Sequence, residues 1–162
     1  MIVVSDTSVL VNLALLNRLD ILPALYGEVF IPTAVWEEIV VLGAGKVGTQ
    51  DIARASWIRR ESPKNTMFVD SLRQTLDNGE AQGIALALEL GANLLLIDER
   101  LGRMTAKYFH LEIIGLLGIL VQAKQDGLIE QIKPLLDQLR FEIGFRISTQ
   151  LYQEVLRLAE EL

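Results

Sequence analysis

Short apolar runs separated by longer segments of helical period constrain this chain more than any other feature of its sequence. The runs are Ile2-Val3-Val4-Ser5, Val29-Phe30-Ile31, Leu94-Leu95-Leu96-Ile97 and Leu111-Glu112-Ile113-Ile114, with Trp57-Ile58-Arg59 a weaker fifth. Continuous apolar runs of this kind belong to strands buried on both faces, and their alternation with helices is the mark of an α/β fold around a parallel sheet. The pattern therefore predicts a central parallel sheet of four or five strands with helices on both sides.

Between the runs, Pro32 suits the start of a helix over Thr33 to Val41, because its φ is preset and its missing N–H costs nothing there. Asp77-Asn78-Gly79 punctuates the chain before a helix from Glu80 to Leu90, which stops at Gly91. Its small residues Ala81, Gly83, Ala85 and Ala87 allow a close approach to a sheet. From about residue 115 the chain reads as helices only: to Lys124, from Ile129 to Gln138, and from Thr149 to Leu162. On the last of these, Leu151, Val155, Leu158 and Leu162 form an apolar stripe that is expected to pack on the core.

A chain of 162 residues, 51% hydrophobic, suits one domain over 1–162, with the helices after residue 115 as an extension of it. The absence of cysteine excludes disulfides, thiolate metal sites and a cysteine nucleophile, and suits a reducing compartment. Ile2-Val3-Val4 meets Asp6 without the basic flank and apolar stretch of an export signal, so the expected location is cytoplasmic. The apolar stretch from Ile113 to Ala123 falls short of the roughly 20 residues that a spanning helix needs, so no membrane association is expected.

Four acids converge in this scheme. Asp6 follows the first strand and Asp98 the third, and parallel strands set both at one edge of the sheet, where open α/β sheets form their ligand crevice. The helix of Glu80 leads into the Leu94 strand and so begins at that edge, as does the helix that carries Glu38. Val35, Ile39 and Leu42 define that helix's apolar stripe; at about 100° per residue, Glu38 flanks the stripe and Glu37 points away. Clustered carboxylates raise one another's pKa unless a cation is present, and an all-oxygen set suits Mg²⁺ or Mn²⁺. Such a centre activates water toward a phosphodiester. Each acid also has a plainer reading: Asp6 and Asp98 as helix N-caps, Glu80 as a first-turn acid favoured by the helix dipole, Glu38 as a solvated side chain.

Together these segments resemble a known family. Val4-Ser5-Asp6-Thr7-Ser8, Pro32-Thr33-Ala34-Val35 leading to Glu38, Gly79-Glu80-Ala81 with Ile84-Ala85-Leu86-Ala87, and Leu96-Ile97-Asp98 resemble PIN-domain proteins over roughly the first 115 residues. The helices beyond Gly115 are similar to those of a PIN-like subgroup with extra C-terminal helices. The resemblance implies a three-layer α/β/α, Rossmann-like fold in which Asp6, Glu38, Glu80 and Asp98 bind Mg²⁺ or Mn²⁺ and cleave RNA, with Thr7 and Ser8 supporting the metal. It further implies a VapC-type toxin held by a small antitoxin protein, and a homodimer. Leu96 stands where the family often has Ser or Thr, and Glu80 where many toxins have Asp.

The net charge of −6 runs against a broadly basic nucleic-acid surface, so RNA contact falls to a local strip. Arg100, Arg103 and Lys107 are spaced along one helix face, and Arg100 and Arg103 are the expected substrate contacts. Other readings stay open. A PIN-like module could bind nucleic acid or protein without catalysis. Gly43, Gly45 and Gly48 fit a dinucleotide fingerprint with Glu61 as the ribose acid, which requires a strand before them and a helix after. A phosphatase with Asp6 as nucleophile lacks a second acid, Ser8 standing two residues on.

Overall fold

The computed structural model describes residues 1–162. Five strands, β1 (Val3–Ser5), β2 (Val29–Pro32), β3 (Ile58–Glu61), β4 (Leu94–Leu96) and β5 (Ile113–Ile114), form one sheet in the order β3-β2-β1-β4-β5. Every neighbouring pair is parallel, with Val4 opposite Phe30 on one side and Leu95 on the other. The weak run around Ile58 is thus a real edge strand, held to β2 over four residue pairs despite its charged Arg59 and Arg60. The expected strands at Ile97 and Leu111 are shorter, because the chain bends away at both ends to enter helices.

Period-two alternation sends successive side chains of each strand to opposite faces. Val3, Val29, Ile31 and Leu96 enter a core cluster of 27 residues, whereas Val4 and Leu95 enter a second of 12. Helices α1 (Thr7–Leu15) and α2 (Ile21–Tyr26) cover the first face with α8 (Leu116–Gln125), and α5 (Thr66–Leu72), α6 (Asn78–Leu90) and α7 (Arg100–Tyr108) cover the second. The result is a three-layer α/β/α fold, as the sequence pattern and the resemblance imply. No helix is long and apolar enough to cross a membrane.

Several boundaries differ from expectation. Pro32 both closes β2, paired with Glu61 in the ladder, and caps the helix that starts at Thr33 as expected; α3 runs over Thr33–Glu37 and then widens into a π-helical turn over Glu38–Leu42. α6 begins at Asn78, ahead of Glu80, because the Asp77 side chain caps it. The helix expected from Ile129 starts at Lys133 instead, with Pro134 in its first turn: α9 (Lys133–Asp137) passes into a second π turn over Gln138–Ile143. On α10 (Thr149–Leu158) the buried side chains are Val155 and Leu156, joined by Ala159, while Leu151, Leu158 and Leu162 are exposed. The buried face is therefore displaced from the expected stripe.

The glycine-rich stretch follows the π turn, not a strand, and α4 (Thr49–Arg54) comes after it. Gly48 is needed for packing: its φ of 84° is left-handed, and a Cβ there would meet the Ala14 Cβ at 2.7 Å. The fingerprint thus lacks the strand that a dinucleotide site requires.

Candidate functional site

The strand order reverses at β1, whose chain continues toward β2 on one side while β4 lies on the other. The segments leaving β1 and β4 therefore diverge to opposite faces and open a crevice between them. Asp6 leaves β1 at this point, its N–H donating to the Leu96 carbonyl at 3.0 Å, and Asp98 leaves β4 beside it.

Asp6 both caps a helix and faces the crevice. Its backbone is extended, and its Oδ1 accepts from the Val9 N–H at 3.2 Å, which ties the carboxylate to the first turn of α1. Ser8 Oγ donates weakly to Oδ2 at 3.5 Å. The residue is only 2% exposed. Across the crevice, Asp77 caps α6 by accepting from the Glu80 N–H at 2.8 Å, so Glu80 sits at the third helical position of a capping-box arrangement. Glu80 is 7% exposed.

Two glycines make room for these acids. A Cβ on Gly102 of α7 would meet Glu80 Oε2 at 2.7 Å and Ile97 Cδ1 at 2.7 Å. One on Gly115 would meet Asp98 Oδ1 at 2.5 Å and Arg103 Nη1 at 2.8 Å. Asp98 reaches away from α7, the helix it was expected to cap: its Oδ1 accepts from the Leu116 N–H at 2.9 Å and so caps α8. Its Oδ2 is buried with no partner, and so is Thr7 Oγ1. Buried polar atoms left unpaired are costly, and such orphans mark places where another group is missing.

The carboxyls respond to this crowding. Burial first, then repulsion from Asp98 and Asp77, pushes Asp6 up from 3.8 to about 7 against the opposing pull of the Val9 N–H. Glu80 is pushed from 4.5 to about 8 by burial, a hydrogen bond shared with Asp77, and the charges of Asp77, Glu99 and Asp6. Asp98 is also raised by burial, although the Leu116 N–H and Arg103 pull it down. A cation among them would relieve each of these penalties at once.

A cavity of about 810 Å³ is lined by Asp6, Thr7, Ser8, Glu38 and Glu80, together with Glu37, Asp77 and Glu99. Glu37 was expected to point away. It lines the same cavity as Glu38, with Ala34 and Leu42 at the i, i+3, i+4 and i+8 positions of one helix face. Asp98, Arg100 and Arg103 line an adjoining cavity of about 820 Å³, and Ser8, Asn12 and Glu99 border both. Lys107 is exposed and lines neither. His110 follows the end of α7, at the opposite edge of the sheet.

Side chains in this arrangement do not form a ready-made metal cage, since no three acidic or imidazole groups stand close enough to hold one ion. Their chemistry nonetheless fits a hard divalent cation, with an all-oxygen donor set, two carboxyls raised by burial and, less, by neighbouring acids, and an unpartnered Asp98 oxygen.

A family model described as a PIN domain matches residues 2–161. The chain belongs to the PIN-domain family. The match runs through the C-terminal helices as well as the sheet, so those helices are part of the family pattern. Among curated proteins none matches the chain. PIN domains are generally nucleases and typically use divalent metal ions, which agrees with an acid-lined crevice at the carboxyl ends of parallel strands.

The residues that sequence reasoning passed over are Asp77, Glu99 and Glu37. Asp77 was legible: Asp77-Asn78-Gly79-Glu80 has the spacing of a capping box, which puts the cap and the third residue on the same helix end. Glu37 was legible too, since Ala34, Glu37 and Glu38 stand at the i, i+3 and i+4 spacing of one helix face.

Proposed function

We propose that this PIN domain is a metal-dependent ribonuclease in which Asp6, Glu80 and Asp98, with Glu38 at the rim, hold Mg²⁺ or Mn²⁺. The observation that carries the reading is the strained set of buried acids: Asp6 and Glu80 are raised to about 7 and 8, beside an Asp98 oxygen with no partner. Folding tolerates such a set at a site of function, where a bound cation removes the penalty.

Asp6 is the fixed point of the site, since its link to the Val9 N–H leaves Oδ2 toward the crevice. Glu80 is held from below by Asp77 and from the side by the close approach of α7 at Gly102. Thr7 Oγ1, buried and unpaired, stands ready to donate to a water or phosphate oxygen. With no imidazole at this edge, these residues orient water and phosphate while the proton leaves to solvent. A divalent ion, when bound, polarises the phosphodiester and lowers the pKa of the attacking water.

The toxin role, with an antitoxin protein as partner, a homodimeric state and a cytoplasmic location, follows from the resemblance and the composition. Its test is growth arrest on induction of the chain, relieved by Asp6→Asn. For the chemistry, the test is cleavage of a mixed RNA pool by the purified chain with Mn²⁺, with EDTA, and by Asp6→Asn. Metal-dependent cleavage abolished in the variant supports the reading; no cleavage, with no Mn²⁺ binding by calorimetry, overturns it.

A further inference from the structure

The second cavity differs from the first in carrying three arginines beside its two acids, Asp98 and Glu99. Arg100 and Arg103 of α7 form one wall, and Arg146, on the segment between the second π turn and α10, forms the other. None of the ion pairs in the protein engages these three arginines, although the chain carries an excess of acids. Arg103 donates only to the Ile97 carbonyl, at 3.0 Å, and Arg146 makes no side-chain hydrogen bond. The same cavity is lined by the apolar side chains of Ile114, Leu117 and Phe145. Phe145 is half-buried and fixed by its N–H, which donates to the Leu139 carbonyl at 2.8 Å across the π turn.

We infer that this second cavity is a nucleotide subsite for single-stranded RNA, in which Arg146 and Phe145 of the C-terminal segment hold the nucleotide beside the scissile phosphate. The inference rests on the nuclease reading for the direction of the strand, which passes over Ser8, Asn12 and Glu99 into the acidic cavity. Arginine forks suit phosphate oxygens, and a base has an apolar face to lay against Phe145 and Leu117. At about 820 Å³ the cavity falls within the roughly 300–1,000 Å³ of small-molecule sites, enough for one nucleotide. Single-stranded RNA is favoured over an acidic protein segment because a nucleotide uses both kinds of lining, its phosphate on the arginines and its flat base on Phe145 and Leu117, whereas a carboxylate side chain uses the arginines alone. Sequence reading reached Arg100 and Arg103 through their helical spacing; Arg146 and Phe145 lie more than forty residues further on, brought to the same cavity only by the packing of α8 and the second π turn.

The experiment is binding of a fluorescein-labelled hexauridylate to the full chain in EDTA, so that cleavage does not intervene, across a range of salt. Arg146→Ala is expected to weaken binding about tenfold and to reduce the slope of log K against log salt by about 1, with Arg146→Lys recovering part of the affinity. Phe145→Ala is expected to weaken binding about tenfold with no change in slope, because stacking releases no counterion. Arg157→Ala on the exposed face of α10 removes the same charge far from the cavity and leaves binding unchanged. Thermal midpoints of all variants separate lost binding from lost fold, and a 4-thiouridine crosslink to the peptide containing Phe145 gives a readout independent of mutation. Arg146→Ala and Arg157→Ala with equal effects, or a crosslink elsewhere, overturn the subsite even where Mn²⁺-dependent cleavage persists. Arg146-dependent binding in a chain that cleaves nothing upholds the subsite and sinks the nuclease reading. An acidic peptide that competes with the RNA only in the presence of Arg146, while Phe145→Ala has no effect on RNA affinity, overturns the choice of RNA.

Discussion

The two halves of the crevice are built differently. In the acidic half, Asp6, Asp77, Glu80 and Asp98 sit on strand ends and helix N-termini, and Asp6, Asp77 and Asp98 each accept a backbone N–H. In the basic half, Arg100 and Arg146 are exposed on a helix and a connecting segment, and Arg103 makes one carbonyl contact. The difference teaches that fixed, desolvated groups suit a geometry that must hold within fractions of an ångström, whereas a polymer's phosphates need only charge within reach. Acids are the strained partners and arginines the idle ones, so changes in the two halves should separate cleanly into effects on turnover and effects on binding.

The largest expected effect comes from Asp6→Asn. Asparagine keeps an oxygen for the Val9 N–H, so the cap survives, but the charge is gone. Cleavage should fall by at least about 10²–10³-fold, the scale of losing one preorganised electrostatic contact, with KM for RNA little changed. The same variant should melt higher than the parent in EDTA at pH 8, by a few degrees, because a buried charge has been removed. Unchanged cleavage, whatever the midpoint, would make Asp6 a helix cap alone, since asparagine preserves the cap.

Next in size is Gly102→Ala. A helical alanine gains about 1 kcal/mol over glycine by propensity. Here the added Cβ meets Glu80 Oε2 and Ile97 Cδ1, and overpacking of this kind costs about 1–3 kcal/mol. Stability should change little while the Glu80 carboxylate is displaced, so Mn²⁺ affinity by calorimetry should fall roughly tenfold, the scale on which misplaced supporting groups act on metal sites. Unchanged Mn²⁺ affinity would remove Glu80 from the metal-binding set.

A smaller effect follows from the raised acids. Both Asp6 and Glu80 hold their protons more tightly in the folded chain than their ordinary values of 3.8 and 4.5 allow, so folding is favoured by protonation. In EDTA the thermal midpoint should rise as pH falls from 8.5 toward 5.5, the stabilisation being lost as pH rises through about 7 and about 8. Below about pH 4 the trend should reverse, since Glu161 and Asp137 are lowered by their partners and lose those contacts on protonation. Saturating Mn²⁺ should flatten the slope above pH 6, and Asp6→Asn should lessen it without metal.

Much of the acidic half was legible in the sequence, because its residues lie next to the features that place them. Asp6 and Asp98 follow apolar runs, and Glu80 opens a helix, so strand direction alone brought them to one edge. What strand direction could not reveal was their division between two cavities, which depends on Asp98 turning to cap α8 at Leu116. That contact spans 18 residues and requires glycine at position 115, a requirement visible only once the backbones are in place. Helix ends were misjudged where caps or π turns overrode periodicity, as at Asp77, Glu38 and Gln138. In the basic half, the local spacing of Arg100 and Arg103 was legible, and it also suggested Lys107, which the fold leaves outside. The reason is distance along the axis: residue 107 shares the face of residue 100 but lies seven positions, about 10 Å, further down α7, in its last turn toward the far edge of the sheet.

That contrast yields the smallest predicted effect. Arg100→Ala should raise KM for RNA about threefold and lower the salt slope by about 1, with kcat within a factor of two, since an exposed guanidinium contributes phosphate contact and little else. Lys107→Ala should leave both KM and slope unchanged, although it removes the same charge from the same helix. The pair therefore separates position from net charge. Equal losses in the two variants would mean that the arginines act as a diffuse field, and the division of the crevice into a rigid catalytic half and a charged binding half would have to be redrawn around Arg103 alone. Unequal losses, with kcat touched in neither, would locate binding energy on the side of the crevice that carries the arginines and leave the acidic half responsible for turnover.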